Sequence, residues 1–141
     1  MTRSGSADPE HGDDLLYVGL QPLHDYQENF LSWLGVEHKI QDHDFVSDDE
    51  IRAFIKRFDH ILVHLDIDVL DPKLFHSTYF ANPELKGDGA GGGKMTIEKL
   101  TEILKLVTEQ YDVAGFTIAE YLPSDEQRFS RMLSGIRLFT D

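Results

Sequence analysis

One stretch limits the fold of this chain more than any other: Ile61-Leu62-Val63-His64-Leu65-Asp66-Ile67-Asp68. It is rich in β-branched residues and almost continuously apolar until it ends in acids. Such a run predicts a central strand of a parallel sheet, covered on both faces. A parallel strand needs a long crossover, usually a helix, to reach its neighbour, and the flanking sequence supplies candidates. Leu15 to Leu20 reads as a short buried strand, ended by Pro22. Asp25 with Glu28 three residues on predicts a helix start. Tyr26, Phe30, Trp33 and Leu34 form its apolar stripe, expected in the core, and Gly35 its stop. Val36 to Gln41 makes a second strand.

Ser47-Asp48-Asp49-Glu50 is a capping box, followed at one-face helical spacing by Ile51, Phe54, Ile55 and Phe58. After the central strand, Asp71 to Lys94 is loop-like, with Pro72, Pro83 and a glycine cluster over Gly87–Gly93; so long a loop is usually functional or mobile. Thr96 caps the next helix, whose face is Ile97, Leu100, Ile103, Leu104 and Val107. Val113 to Ala119 is a fourth strand. Ser124 and Gln127 pair to start a last helix striped by Phe129, Met132, Leu133 and Ile136. The alternation predicts an α/β fold: three layers, α/β/α, around a mostly parallel sheet of about four strands, joined by right-handed crossovers. Residues 1–14, rich in Ser, Gly, Asp and Pro, read as a flexible leader, and 15–141 as one domain.

Charge narrows the partners. Lys plus Arg number 13 and Asp plus Glu 26, a formal net charge of −13. Nucleic-acid binding needs a basic surface and is not expected. Cations are: metal ions, or a substrate bearing a guanidinium or amine. With no Cys, thiolate catalysis and disulfides are excluded. The first residues lack the apolar core of a signal peptide and no run approaches membrane-spanning length, so a soluble, cytoplasmic protein is expected.

In parallel sheets ligands gather beyond the carboxyl ends of the strands. Asp66 and Asp68 end the third strand and Glu120 follows the fourth. Two residues apart on extended backbone, Asp66 and Asp68 point to the same side. Two neighbouring carboxylates repel in a poorly solvated site, and a bound cation removes that cost; oxygen donors suit manganese or magnesium. A solvated turn opened by Asp71-Pro72 fits the spacing equally. Glu120 can hold a cationic group by charge-assisted hydrogen bonds, or simply be an exposed acid. His76, in the loop near this rim, can touch substrate or lie on the surface. Asp42-His43-Asp44 reads as polar loop and His64 as an interior histidine.

His64-Leu65-Asp66-Ile67-Asp68-Val69-Leu70-Asp71-Pro72 resembles the Ser-x-Asp-x-Asp-x-x-Asp-Pro signature of the ureohydrolases, the family of arginase, agmatinase and formimidoylglutamase. Gly92-Gly93-Lys94-Met95-Thr96 resembles the family's helix-opening Gly-Gly-Leu-Thr with one residue inserted. Gly115 to Pro123 resembles its Gly-x-Asp-Ile-x-Glu-x-x-Pro strand. The resemblance runs from about Leu15 to the C-terminus. It implies an arginase-like fold, a dinuclear manganese site, and hydrolysis of a linear amidine by a metal-bridging hydroxide. By correspondence Asp66 matches the aspartate bridging both ions and Asp68 the one binding a single ion, so both would be catalytic and metal-binding. Glu120 matches the glutamate that receives the guanidinium-like end of the substrate.

The departures point to an incomplete family member. The family's Gly-Gly-Asp-His and Asp-Ala-His-x-Asp, which supply the other ligands, do not occur here; His64 replaces Ser and Thr117 replaces Asp. The chain thus looks like the C-terminal portion of a ureohydrolase, inactive alone, lacking an N-terminal half or acting as a homo-oligomer. In the family the strand bearing Asp-Ala-His-x-Asp lies between those resembling 61–67 and 15–20, so the sheet should either hold a central gap or close up. Two other readings stand beside this: a non-catalytic scaffold used for assembly or regulation, and a haloacid-dehalogenase-like phosphatase using Asp66 and Asp68 with magnesium.

Overall fold

The computed structural model describes residues 9–40, 45–82, 84 and 92–140. Asp42-His43-Asp44 and the glycines at 87, 89 and 91 lie outside the described residues. Four strands and four α-helices alternate: β1 (Leu16–Leu20), α1 (Asp25–Leu34), β2 (Glu37–Ile40), α2 (Asp48–Ile55), β3 (Ile61–Asp66), α3 (Ile97–Gln110), β4 (Val113–Ala119) and α4 (Glu126–Ser134). The α/β alternation and parallel pairing are as the sequence predicts.

The strands lie in two pairs, β1 with β2 and β3 with β4, each parallel. No strand pairing joins the two pairs among the described residues. Of the two outcomes open to the sheet, this is the gap. The core gathers beneath β3 and β4. Ile51 and Ile55 of α2, Leu100, Ile103, Leu104, Leu106 and Val107 of α3, and Phe129 and Met132 of α4 pack with Leu65, Ile67 and Leu70. Each buried aliphatic or aromatic side chain contributes about 1.5–3 kcal/mol, which makes this cluster the main source of stability.

Several local expectations change. Burial along β3 alternates: Leu65 is buried and Ile61 and Val63 half-buried, whereas Leu62, His64 and Asp66 are exposed. The strand is covered on one face, not two, because the helices in contact with the core all lie on its Leu65 side. His64 is therefore no interior histidine; its Nδ1 lies 2.8 Å from Thr117 Oγ1 on the open face. The α1 stripe is not core either. Tyr26, Phe30 and Trp33 are exposed, and α1 buries no residue. Its N-cap is His24 rather than Asp25, since the Gln27 side chain accepts from the His24 N–H at 2.9 Å. Gly35 ends it at φ 70°, in the left-handed region that favours glycine.

The Ser47 capping box forms as predicted: Ser47 Oγ accepts from the Glu50 N–H at 3.3 Å and Glu50 accepts from the Ser47 N–H at 2.8 Å. Donation to the Glu50 carboxylate from the Ser47 N–H, the Ser47 hydroxyl and the Lys39 ammonium holds its carboxyl down at about 2. Thr96 caps α3, accepting from the Lys99 N–H at 3.1 Å. The last helix starts after Asp125 instead of at Ser124. The N–H groups of Ser124 and Asp125 both turn to Ser77 Oγ, which pulls that corner towards the loop after β3. Ahead of β1, Pro9–Asp14 form a short 3-10 helix where the sequence reads as leader. It is seated by Gly12: a Cβ there would meet Leu34 O at 1.5 Å.

The segment after the glycine cluster locks the end of β3. The Gly93 N–H donates to Asp68 O at 2.8 Å, Met95 N–H to Val69 O at 3.1 Å, and Asp71 N–H to Met95 O at 2.9 Å. A Cβ on Gly93 would lie 2.0 Å from Val69 O. Gly93→Ala is expected to cost about 2–3 kcal/mol by overpacking against this backbone, read as a lower urea midpoint with an unchanged slope.

Candidate functional site

The site is built where β3 and β4 end. The strand expected over Ile61–Asp68 stops at Asp66, and Ile67–Val69 form a 3-10 turn. The cause is local: the Asp66 carboxylate accepts from the Asp68 N–H at 2.9 Å and caps the turn. The two aspartates therefore do not share a side by strand alternation; the turn replaces that geometry. Ile67 and Leu70, fully buried, pin the turn from below. Asp71 opens the next turn as predicted, its carboxylate accepting from the Lys73 N–H at 2.8 Å.

Register brings Glu120 to the same rim. Asp66 pairs with Ala119, so Glu120 is the first residue beyond the pair. Its φ is 58°, the left-handed region, where a non-glycine side chain costs about 1–2 kcal/mol. Asp68 sits against both acids. Burial, then the charges of Asp66 and Glu120, push its carboxyl up from 3.8 to about 6, while a hydrogen bond from the Tyr79 backbone pulls the other way. Its Oδ1 is buried without a hydrogen-bond partner among the described residues.

Other residues of this rim carry no signal in the sequence. Gln21, just after β1, donates from Nε2 to Asp68 O at 2.7 Å. Ser77 and Thr78 are buried; Ser77 O also accepts from Leu122 N–H at 2.9 Å, tying the loop to the exit of β4. Thr78 Oγ1 is a second buried oxygen without a partner among the described residues. Only a run of small polar residues in an otherwise mixed loop hints at them. His76 is exposed, and its backbone N–H donates to Asp125 at 3.4 Å.

Three carboxylates around one rim, with an orphaned buried oxygen, make a partial donor set for a hard cation. They do not make a full one: among the described residues no group of three His, Asp or Glu side chains is arranged to hold a metal ion.

The fold has counterparts among solved structures. Helicobacter pylori arginase superposes with a TM-score of 0.66 at 19% identity, covering 88% of this chain and 42% of its own. Formimidoylglutamase from Bacillus subtilis gives 0.63 at 22% identity, covering 91% and 40%. Arginase from Bacillus caldovelox gives 0.67 at 18%, covering 95% and 44%. The chain carries part of the arginase fold. It spans about two fifths of the length of these structures. No family model matches the sequence, and no curated protein matches it closely enough to be a relative. No helix among the described residues is long and apolar enough to cross a membrane.

Because the folded Asp68 keeps its proton between about pH 4 and 6 while the unfolded chain has lost it, the raised value works against stability as pH rises. Wild-type stability is expected to fall through that window, and Asp68→Asn to remove the fall. The gap at pH 7 should be about 1 kcal/mol, solvent screening having reduced it, read from urea unfolding at stepped pH. Glu120→Gly should stabilise by about 1 kcal/mol through relief of the left-handed backbone, seen as a higher melting temperature.

Proposed function

We propose that this chain is the carboxyl-terminal part of a metal-dependent hydrolase of linear amidines, of the arginase type. The observation that carries the reading is the meeting of Asp66, Asp68 and Glu120 at one strand rim within an arginase-like fold. In this reading Asp66 and Asp68 face the metal, with manganese as the ion, and Glu120 receives the cationic end of a guanidino or formimidoyl substrate. A bound divalent metal would supply a Lewis acid and a more acidic water. The chain's own part is to present carboxylates already crowded together: a cation relieves their repulsion and the burial of Asp68. Strain at Glu120 fits the same role, since left-handed non-glycine residues concentrate at functional sites.

The described residues lack the rest of a donor set, so the chain is proposed to bind manganese weakly and to be inactive. Equilibrium dialysis against manganese chloride, followed by metal analysis, tests this. Weak binding that disappears in Asp68→Asn is the expected result. Tight retention of two ions by the 141-residue chain, or binding indifferent to Asp66→Asn and Asp68→Asn, overturns it. Urea release from L-arginine and agmatine should stay at background.

A further inference from the structure

The open face of the β3–β4 pair carries a nitrogen donor next to the acids of the rim. Leu62, His64 and Asp66 alternate with inward residues along β3 and are exposed on that face. Side chains two residues apart on a strand stand about 6.6 Å from each other on one side of the sheet. One metal ion can bridge that span, since an imidazole nitrogen or a carboxylate oxygen binds zinc at about 2.0–2.2 Å.

Both side chains are held at one atom and free at another. His64 Nδ1 lies 2.8 Å from Oγ1 of Thr117, its partner across the strand pair. Asp66 Oδ1 accepts from the Asp68 N–H at 2.9 Å. His64 Nε2 and Asp66 Oδ2 have no hydrogen bond among the described residues. With Nδ1–H donating to the Thr117 hydroxyl, Nε2 keeps its lone pair. An anchored second nitrogen is the usual setting of a metal-ligating histidine, because it fixes the ring and its tautomer. His64 and Thr117 are also the two residues at which these strands depart from the ureohydrolase pattern, and the structure joins them in one bond. Both line a cavity of about 740 Å³ over this face, which leaves room for an ion and its waters.

We propose that His64 Nε2 and Asp66 Oδ2 together bind a borderline divalent cation of the zinc type, with water completing its coordination. Imidazole suits zinc, whereas manganese and magnesium prefer oxygen donors. His64 thereby shifts the ion preference of this rim towards zinc. The inference rests on the reading of Asp66 as a metal-facing residue. Among the described residues no group of three His, Asp or Glu side chains is arranged to hold a metal ion, so the site has two protein donors and is correspondingly weak.

The chain has seven histidines, so binding is read at His64 itself. Long-range proton–nitrogen spectra of the imidazoles are followed while the full chain is titrated with zinc chloride, and His64→Gln assigns the signal. Zinc should move the Nε2 resonance of His64 saturably. Asp66→Asn should raise the zinc concentration needed at least about tenfold, and Thr117→Val about tenfold through loss of the anchor of the ring. His60→Gln, which removes a histidine paired with Asp112, should leave the His64 shift unchanged. In a parallel titration with manganese chloride, free ion being read by electron paramagnetic resonance, His64→Gln should bind as the wild type does. A His64 signal indifferent to zinc, a shift that survives Asp66→Asn at the same zinc concentration, or loss of manganese binding in His64→Gln overturns the proposal. The reading of the acids as metal-facing fails by a different result: manganese binding indifferent to Asp66→Asn and Asp68→Asn.

Discussion

The carbonyl of Asp68 is the hinge of the structure. It accepts from the Gly93 amide and from the Gln21 side chain at once, and its residue begins where the Asp66 cap ends the strand. Three distant stretches meet at this oxygen: the exit of β1, the turn after β3 and the approach to α3. Remove it and the turn loses the bonds that hold it while Ile67 and Leu70 anchor it below. A carbonyl with two donors is fully satisfied, so the turn is held firmly where the acids it carries are not neutralised.

That contrast gives the rim its chemical character. Elsewhere some acids are paired at the surface, as Glu50 is with Lys39 and Glu37 with Arg57. At the rim, Asp68 is instead crowded by two acids and partly removed from water. Crowding like charges costs free energy that the large core under β3 can absorb. Such an arrangement persists in folds when a ligand of opposite sign completes it.

Much of this was legible in sequence, for physical reasons that differ by element. The Ser47 and Thr96 caps and the Gly35 stop are local, since each rests on hydrogen bonds or backbone freedom within a few residues, and they appear where expected. The β4 bounds follow from a run with turn chemistry at each end. Burial of whole faces is not local. The β3 run and the α1 stripe read as core because both are apolar, and whether anything covers them depends on segments elsewhere in space. Asp68 was found by its type and spacing, but its turn was hidden by an apolar run that continues through Ile67. Gln21, Ser77 and Thr78 were missed because their roles are set by tertiary contact, with only common polar residues to mark them.

The uneven burial has a consequence for how the molecule breathes. Every residue of the main buried cluster lies between Val46 and Ile136, while β1 contributes only partly buried Leu16 and Val18 and α1 contributes none. Regions with few buried apolar contacts open at lower free energy than the rest. The amino-terminal β1–α1–β2 unit is then expected to exchange its amide hydrogens at lower free energy than the body beneath β3 and β4.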